Sequence, residues 1–153
     1  MITESEIRGL CGAVLAREPE VLDFPSENDW AVLERQLTTT FPPEFKSFMA
    51  LMAEFTFPGD IYNVSQCGRT NGNDTILTVY ESELANSDWP GDLIPFYGIG
   101  NGDYFVFDRR EGAHSAVYYR YHEDGRIEKY CQSFEAWLRN LPRFLVGEED
   151  VEQ

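Results

Sequence analysis

Apolar residues recur at helical spacing through the first third of the chain and at strand spacing through most of the remainder. Ile7, Leu10, Cys11, Val14 and Leu15 stand at i, i+3, i+4, i+7 and i+8, and Thr3 with Glu6 makes a capping box ahead of them. The spacing predicts a first helix over 4–18, followed by a loop punctuated by Pro19 and Pro25. Ser26, with Asp29 three residues on, predicts the cap of a second helix whose buried stripe is Trp30, Leu33 and Leu37. Thr38-Thr39-Thr40 weakens that helix and Phe41-Pro42-Pro43 ends it. A proline at 42 or 43 then opens a third, with Phe45, Phe48, Met49 and Met52 on one side.

From Phe57 the period changes. Pro58-Gly59-Asp60 reads as a turn, 61–64 as a short strand and 65–74 as a polar loop. The run 76–80 is rich in β-formers and predicts a strand, after which Ser82 caps a single helical turn before Trp89-Pro90-Gly91. Leu93 to Tyr97 and Tyr104 to Asp108 form the densest apolar run in the chain. Gly98, Gly100 and Gly102 lie between them, which predicts two buried strands joined by a tight turn. A polar connection at 109–114 leads to a strand over 116–121. Glu123-Asp124-Gly125 then turns the chain into a partner strand over 126–130. Ser133 caps a closing helix carrying Phe134, Trp137, Leu138 and Leu141 on one face, and after Pro142 the chain runs on into an acidic tail. Helices, then strands, then a helix predict one α+β domain over 1–146. Its sheet is mainly antiparallel, of about six strands, with flanking helices on one face and the other face partly open. Residues 147–153 form an acidic tail of disorder-type composition.

Alternation along 117–122 sorts Val117, Tyr119 and Tyr121 to one face and Tyr118, Arg120 and His122 to the other. Core packing accounts for the first set. The second combines residue types enriched at binding hot spots, although packing beneath a helix accounts for it as simply.

Charge changes the picture more than any motif. Among 153 residues, 27 Asp and Glu face 12 Lys and Arg, a net charge of −15. Such a surface repels phosphate backbones and anionic membranes and attracts basic partners, besides keeping a protein in solution. With 42% hydrophobic residues the chain can fill a core without staples. Cys11, Cys67 and Cys131 are odd in number and far apart, the pattern of buried thiols in a reducing compartment. The first residues lack a basic, apolar leader and no apolar run has membrane-spanning length, so the expected location is the cytoplasm. The sequons at Asn63 and Asn73 are then chance matches.

No constellation of catalytic residues emerges. Gly98-Ile99-Gly100-Asn101-Gly102-Asp103 departs from a phosphate loop at its last position, and a strand follows it where a helix is needed. Asn71-Gly72-Asn73-Asp74 and the pair Asp103 and Asp108 lack the calcium-loop pattern, and His114 and His122 stand without ligand-spaced partners. The expectation is a non-enzymatic protein with no catalytic residue, metal or cofactor. The glycine-rich turn and the open sheet face make Asp60, Asp103, Tyr104 and Tyr118 the candidate partner contacts, while Gly100, Gly102 and Asp108 serve the fold.

An ordered series of short motifs carries a family resemblance. Trp30-x-x-Leu33-Glu34-x-x-Leu37 is followed by Phe41-Pro42-Pro43-Glu44-Phe45-Lys46-x-Phe48-Met49 and then Leu93-Ile94-Pro95-Phe96. Gly100-Asn101-Gly102-Asp103-Tyr104-x-x-Phe107-Asp108 and Ser133-Phe134-Glu135-x-Trp137-Leu138 complete it. In this order the chain resembles the SUKH superfamily, bacterial immunity-type proteins related to a yeast regulator of cell-wall synthesis. It departs at Ala53-Glu54-Phe55, where members often carry Asn-Gly, and at Cys131-Gln132, where small or acidic residues are usual. The resemblance implies a six-stranded α+β fold and a non-enzymatic antidote that binds and neutralises a cognate secreted toxin domain, often a basic nuclease. The yeast relative implies the alternative of a regulatory scaffold or adaptor.

Overall fold

The computed structural model describes residues 2–16, 25–65 and 74–147. The expected connection around Pro19, most of the polar loop after Ser65, Cys67 and the acidic tail beyond Gly147 lie outside the described residues. Helix α1 (Glu4–Gly12) starts at the expected capping box: Thr3 Oγ1 accepts from the Glu6 amide while the Glu6 carboxylate accepts from Thr3 N–H. The helix stops well short of position 18, with Ala13 closing it on the carbonyls of Gly9 and Cys11. Helix α2 (Glu27–Leu37) carries the matching box at Ser26 and Asp29 and ends on Thr38 in the left-handed region. Helix α3 (Pro43–Leu51) opens with proline at its first position, and Met52 belongs to the short 3-10 turn that follows it.

Five antiparallel strands lie in chain order, β1 (Asp60–Ile61), β2 (Leu93–Gly98), β3 (Tyr104–Asp108), β4 (Val117–Arg120) and β5 (Ile127–Cys131). Of the sequence expectation, the α+β class, the single domain and the antiparallel pairing hold; the count among the described residues is five rather than about six. The missing strand is helix α4 (Ile76–Asn86), which occupies the run expected to be extended. Ser82, expected to cap a separate turn, lies inside it. Thr75 is the cap, its Oγ1 accepting from Thr78 N–H at 3.1 Å. Burial of Ile76 and Val79, three residues apart on one face, overrides the extended preference of Ile, Thr, Val and Tyr. Thr75→Ala should therefore cost about 1 kcal/mol. It should lower the melting temperature by about 2–4 °C in a thermal scan, with Thr75→Ser restoring most of the loss.

The two faces of the sheet are packed differently. Ile94, Phe96, Phe105, Phe107, Val117 and Tyr119 face α1, α2, α3 and the closing helix α5 (Phe134–Leu145) across the main core. Phe45, Phe48, Phe134 and Trp137 fill its centre, with ring centroids 5–6 Å apart, Phe134 stacked on Trp137 and the other pairs at steep angles. Helix α5 continues through Pro142 for another turn, held by Phe144 against Phe105 at 5.1 Å. On the opposite face Val106, Leu93 and Trp89 form a smaller cluster, flanked by Tyr80, Tyr104 and Tyr118. Trp89 is fixed there by its indole N–H, which donates to the Leu93 carbonyl at 2.7 Å. This second face is the less covered one.

Candidate functional site

Three separate segments converge on the second face. The end of α4 supplies Glu83, and Ser87 and Asp88 follow it. The turn into β3 supplies Gly102 and Tyr104. The end of β4 and its turn supply Arg120, His122, Glu123, Asp124 and Gly125. Together they line an open groove of about 620 Å³.

Local chemistry fixes its walls. Gly102 holds φ at +98°, and a Cβ there would stand 2.9 Å from the His122 ring, so a glycine lets the turn lie against that imidazole. Asp103, 7% exposed, ties the turn to β4. Its Oδ2 accepts from Tyr119 Oη at 2.6 Å, its Oδ1 accepts from His122 N–H at 2.8 Å, and the His122 Nδ1 lies 2.6 Å from Oδ1. Burial pulls the Asp103 carboxyl upward, but these hydrogen bonds together outweigh it and hold the group below its ordinary range. Tyr104 donates to Glu83 at 2.7 Å; burial first, and then that carboxylate, push its phenol up to about 12.

The charges in the groove are unevenly matched. Glu83, Asp88, Glu123 and Asp124 form no ion pair with any described residue. Arg120, at the floor, is 8% exposed and lies over the Trp89 ring with its guanidinium carbon 4.7 Å from the centroid. Its guanidinium makes no hydrogen bond or ion pair to a described residue, and the buried Nε is without a partner. No group of three His, Cys, Asp or Glu among the described residues is arranged to hold a metal ion.

The SMI1-KNR4 cell-wall family, a SUKH family, matches the chain over residues 27–138. The chain belongs to this family. In fold, this SUKH chain is similar to the crystal structure of a protein from Pseudomonas syringae pv. tomato. The two are 17% identical with a TM-score of 0.62, over 90% of this chain and 96% of that one. No curated protein shows significant similarity to the chain. The matched span begins at α2 and ends within α5, so it takes in the whole sheet and every groove residue.

Of the four contacts expected from sequence, the SUKH fold brings Tyr104 and Tyr118 to the second sheet face, on neighbouring strands. Tyr104 lines the groove. Tyr118 faces an adjoining hollow and donates to Glu111 at 2.8 Å. Asp103 is drawn inward by Tyr119 and His122, and Asp60 stands exposed at the edge of the sheet opposite Gly98, away from the groove. Sequence reasoning sorted Arg120 and His122 to the right face by alternation but did not place Glu83, Asp88, Glu123 and Asp124 around them. Only the last two could have been connected to Arg120, through the predicted hairpin turn.

Proposed function

We propose that this chain is an immunity protein that neutralises a cognate toxin domain by stoichiometric binding, with the grooved second face of the sheet as its contact surface. The observation that carries this reading is the set of four carboxylates around one open groove, without an ion pair to any described residue, in a chain of net charge −15. Unneutralised acidic side chains that converge on a concavity favour a basic protein surface over nucleic acid or an anionic membrane, and they steer its approach. Family membership supports a protein that works through a partner rather than through catalysis. Tyr104 and Tyr118 are the contacts from the sheet face, and Asp60 extends the acidic surface along the edge strand.

The test is co-expression with the polypeptide encoded beside this one, followed by capture at low and at high salt. The expected result is a 1:1 complex, protection of the host cell, and affinity that falls as salt screens the acidic face. No complex and no protection would overturn the immunity reading, whereas capture of a housekeeping protein in their place would favour a regulatory adaptor.

A further inference from the structure

Arg120 stands out once the fold is accounted for. Among nine-tenths-buried polar side chains, a guanidinium without an acceptor is costly, because removing the charge from water is repaid only by good partners. The stack on Trp89 and the packing of the aliphatic stem offset part of this cost. They leave the fork's buried Nε–H without a partner and its terminal nitrogens with no acceptor from a described residue. Gly125 lies beside it: a Cβ there would sit 3.6 Å from Nη2, so the glycine leaves that edge of the guanidinium uncovered toward the groove. The fork is thus at the floor of a concavity with an open side, the geometry in which a carboxylate is held bidentately.

The rim restricts what can bring that carboxylate. Glu83, Asp88, Glu123 and Asp124 repel a small free anion before it reaches the floor. A ligand that satisfies both parts must carry positive charge around a central negative one. We propose that the groove recognises a segment of a protein partner in which an Asp or Glu side chain is flanked by Lys or Arg: Arg120 takes the carboxylate, and the rim takes the flanking cations. This rests on the reading of the chain as a protein-binding module and names the chemistry its contact surface selects.

The experiment titrates the full chain, labelled with ¹⁵N, with an acetylated and amidated peptide Lys-Lys-Asp-Lys-Lys, and with the same peptide carrying Asn for Asp. General attraction to the acidic rim favours the Asn peptide, which has one more unit of positive charge. The arginine fork favours the Asp peptide. The expected result is tighter binding of the Asp peptide, by about fivefold or more, with a shift of the Arg120 Nε–Hε resonance. In Arg120→Met the order should reverse. Because the comparison is between ligands, it stands even where that variant fails to fold. Equal binding, a preference for Asn, or no binding of either peptide would overturn the inference. Its failure is separable from that of the immunity reading: partner capture without an Asp preference removes this assignment alone. An Asp preference with no captured toxin supports the groove chemistry and removes the toxin.

Discussion

Trp137→Ala is expected to destabilise the protein by about 4 kcal/mol, enough to lower its melting temperature by roughly 8–16 °C. Trp137 is 1% exposed, and it is stacked on Phe134 at 5.1 Å with Phe48, Phe96, Phe105 and Tyr97 arranged edge-on around it. Those neighbours come from α3, β2, β3 and α5 itself, so truncation opens a cavity where four elements meet and none can move in without disturbing another. Trp137→Phe, which keeps the stack on Phe134, should cost less than half as much. Urea unfolding of both variants measures this, with the midpoint falling and the slope unchanged if only packing is lost. A loss below about 1 kcal/mol for the alanine variant would mean that the ring cluster is not cooperative. Folded molecules should still bind the partner, because Trp137 lies behind the face that carries the groove.

Three of the helices and the central strand pair were legible in the sequence for definite reasons. Thr3, Ser26 and Ser133 each stand three residues before a backbone amide that they cap, and each precedes apolar residues at helical spacing. The pairing of β2 with β3 follows from two apolar runs and the glycines between them. Helix α4 escaped although Thr75 caps it as Ser133 caps α5, neither with a reciprocal box, because a strand-like run follows Thr75 directly. Four of its first five residues, Ile76, Thr78, Val79 and Tyr80, also prefer strands individually, and only burial of Ile76 and Val79 against the rest of the fold decides the matter. That one misreading hid one wall of the site. With 76–80 extended, Glu83 falls in a separate helical turn of unknown direction; with α4 in place, it hydrogen-bonds Tyr104 twenty-one residues away. The unmet charge of Arg120 was invisible for a different reason. Alternation fixes which face a residue takes, but the absence of an acceptor is a property of three segments brought together.

Replacing Asp103 by Asn should cost about 2–3 kcal/mol at neutral pH, the second largest effect expected here. The carboxylate receives donors on both oxygens, Tyr119 Oη on one and the His122 backbone N–H and ring on the other. An amide has a single acceptor oxygen, so whichever way it turns, one donor set meets an NH₂ group. The effect must also depend on pH, in a direction fixed by the ionisation. Hydrogen bonding holds the folded Asp103 pKa below its unfolded value, despite burial. Its stabilisation is therefore complete above the unfolded pKa of about 3.9 and is lost as pH falls through the folded value. Wild type and variant should differ most above about pH 5 and draw closer as pH falls below the unfolded pKa of about 3.9 in paired urea titrations, with the variant losing less stability as acid is added. A gap that stays constant down to pH 3 would show that Asp103 acts through shape rather than charge. A gap that closes would tie the turn carrying Gly102, and with it one wall of the groove, to a single buried carboxylate.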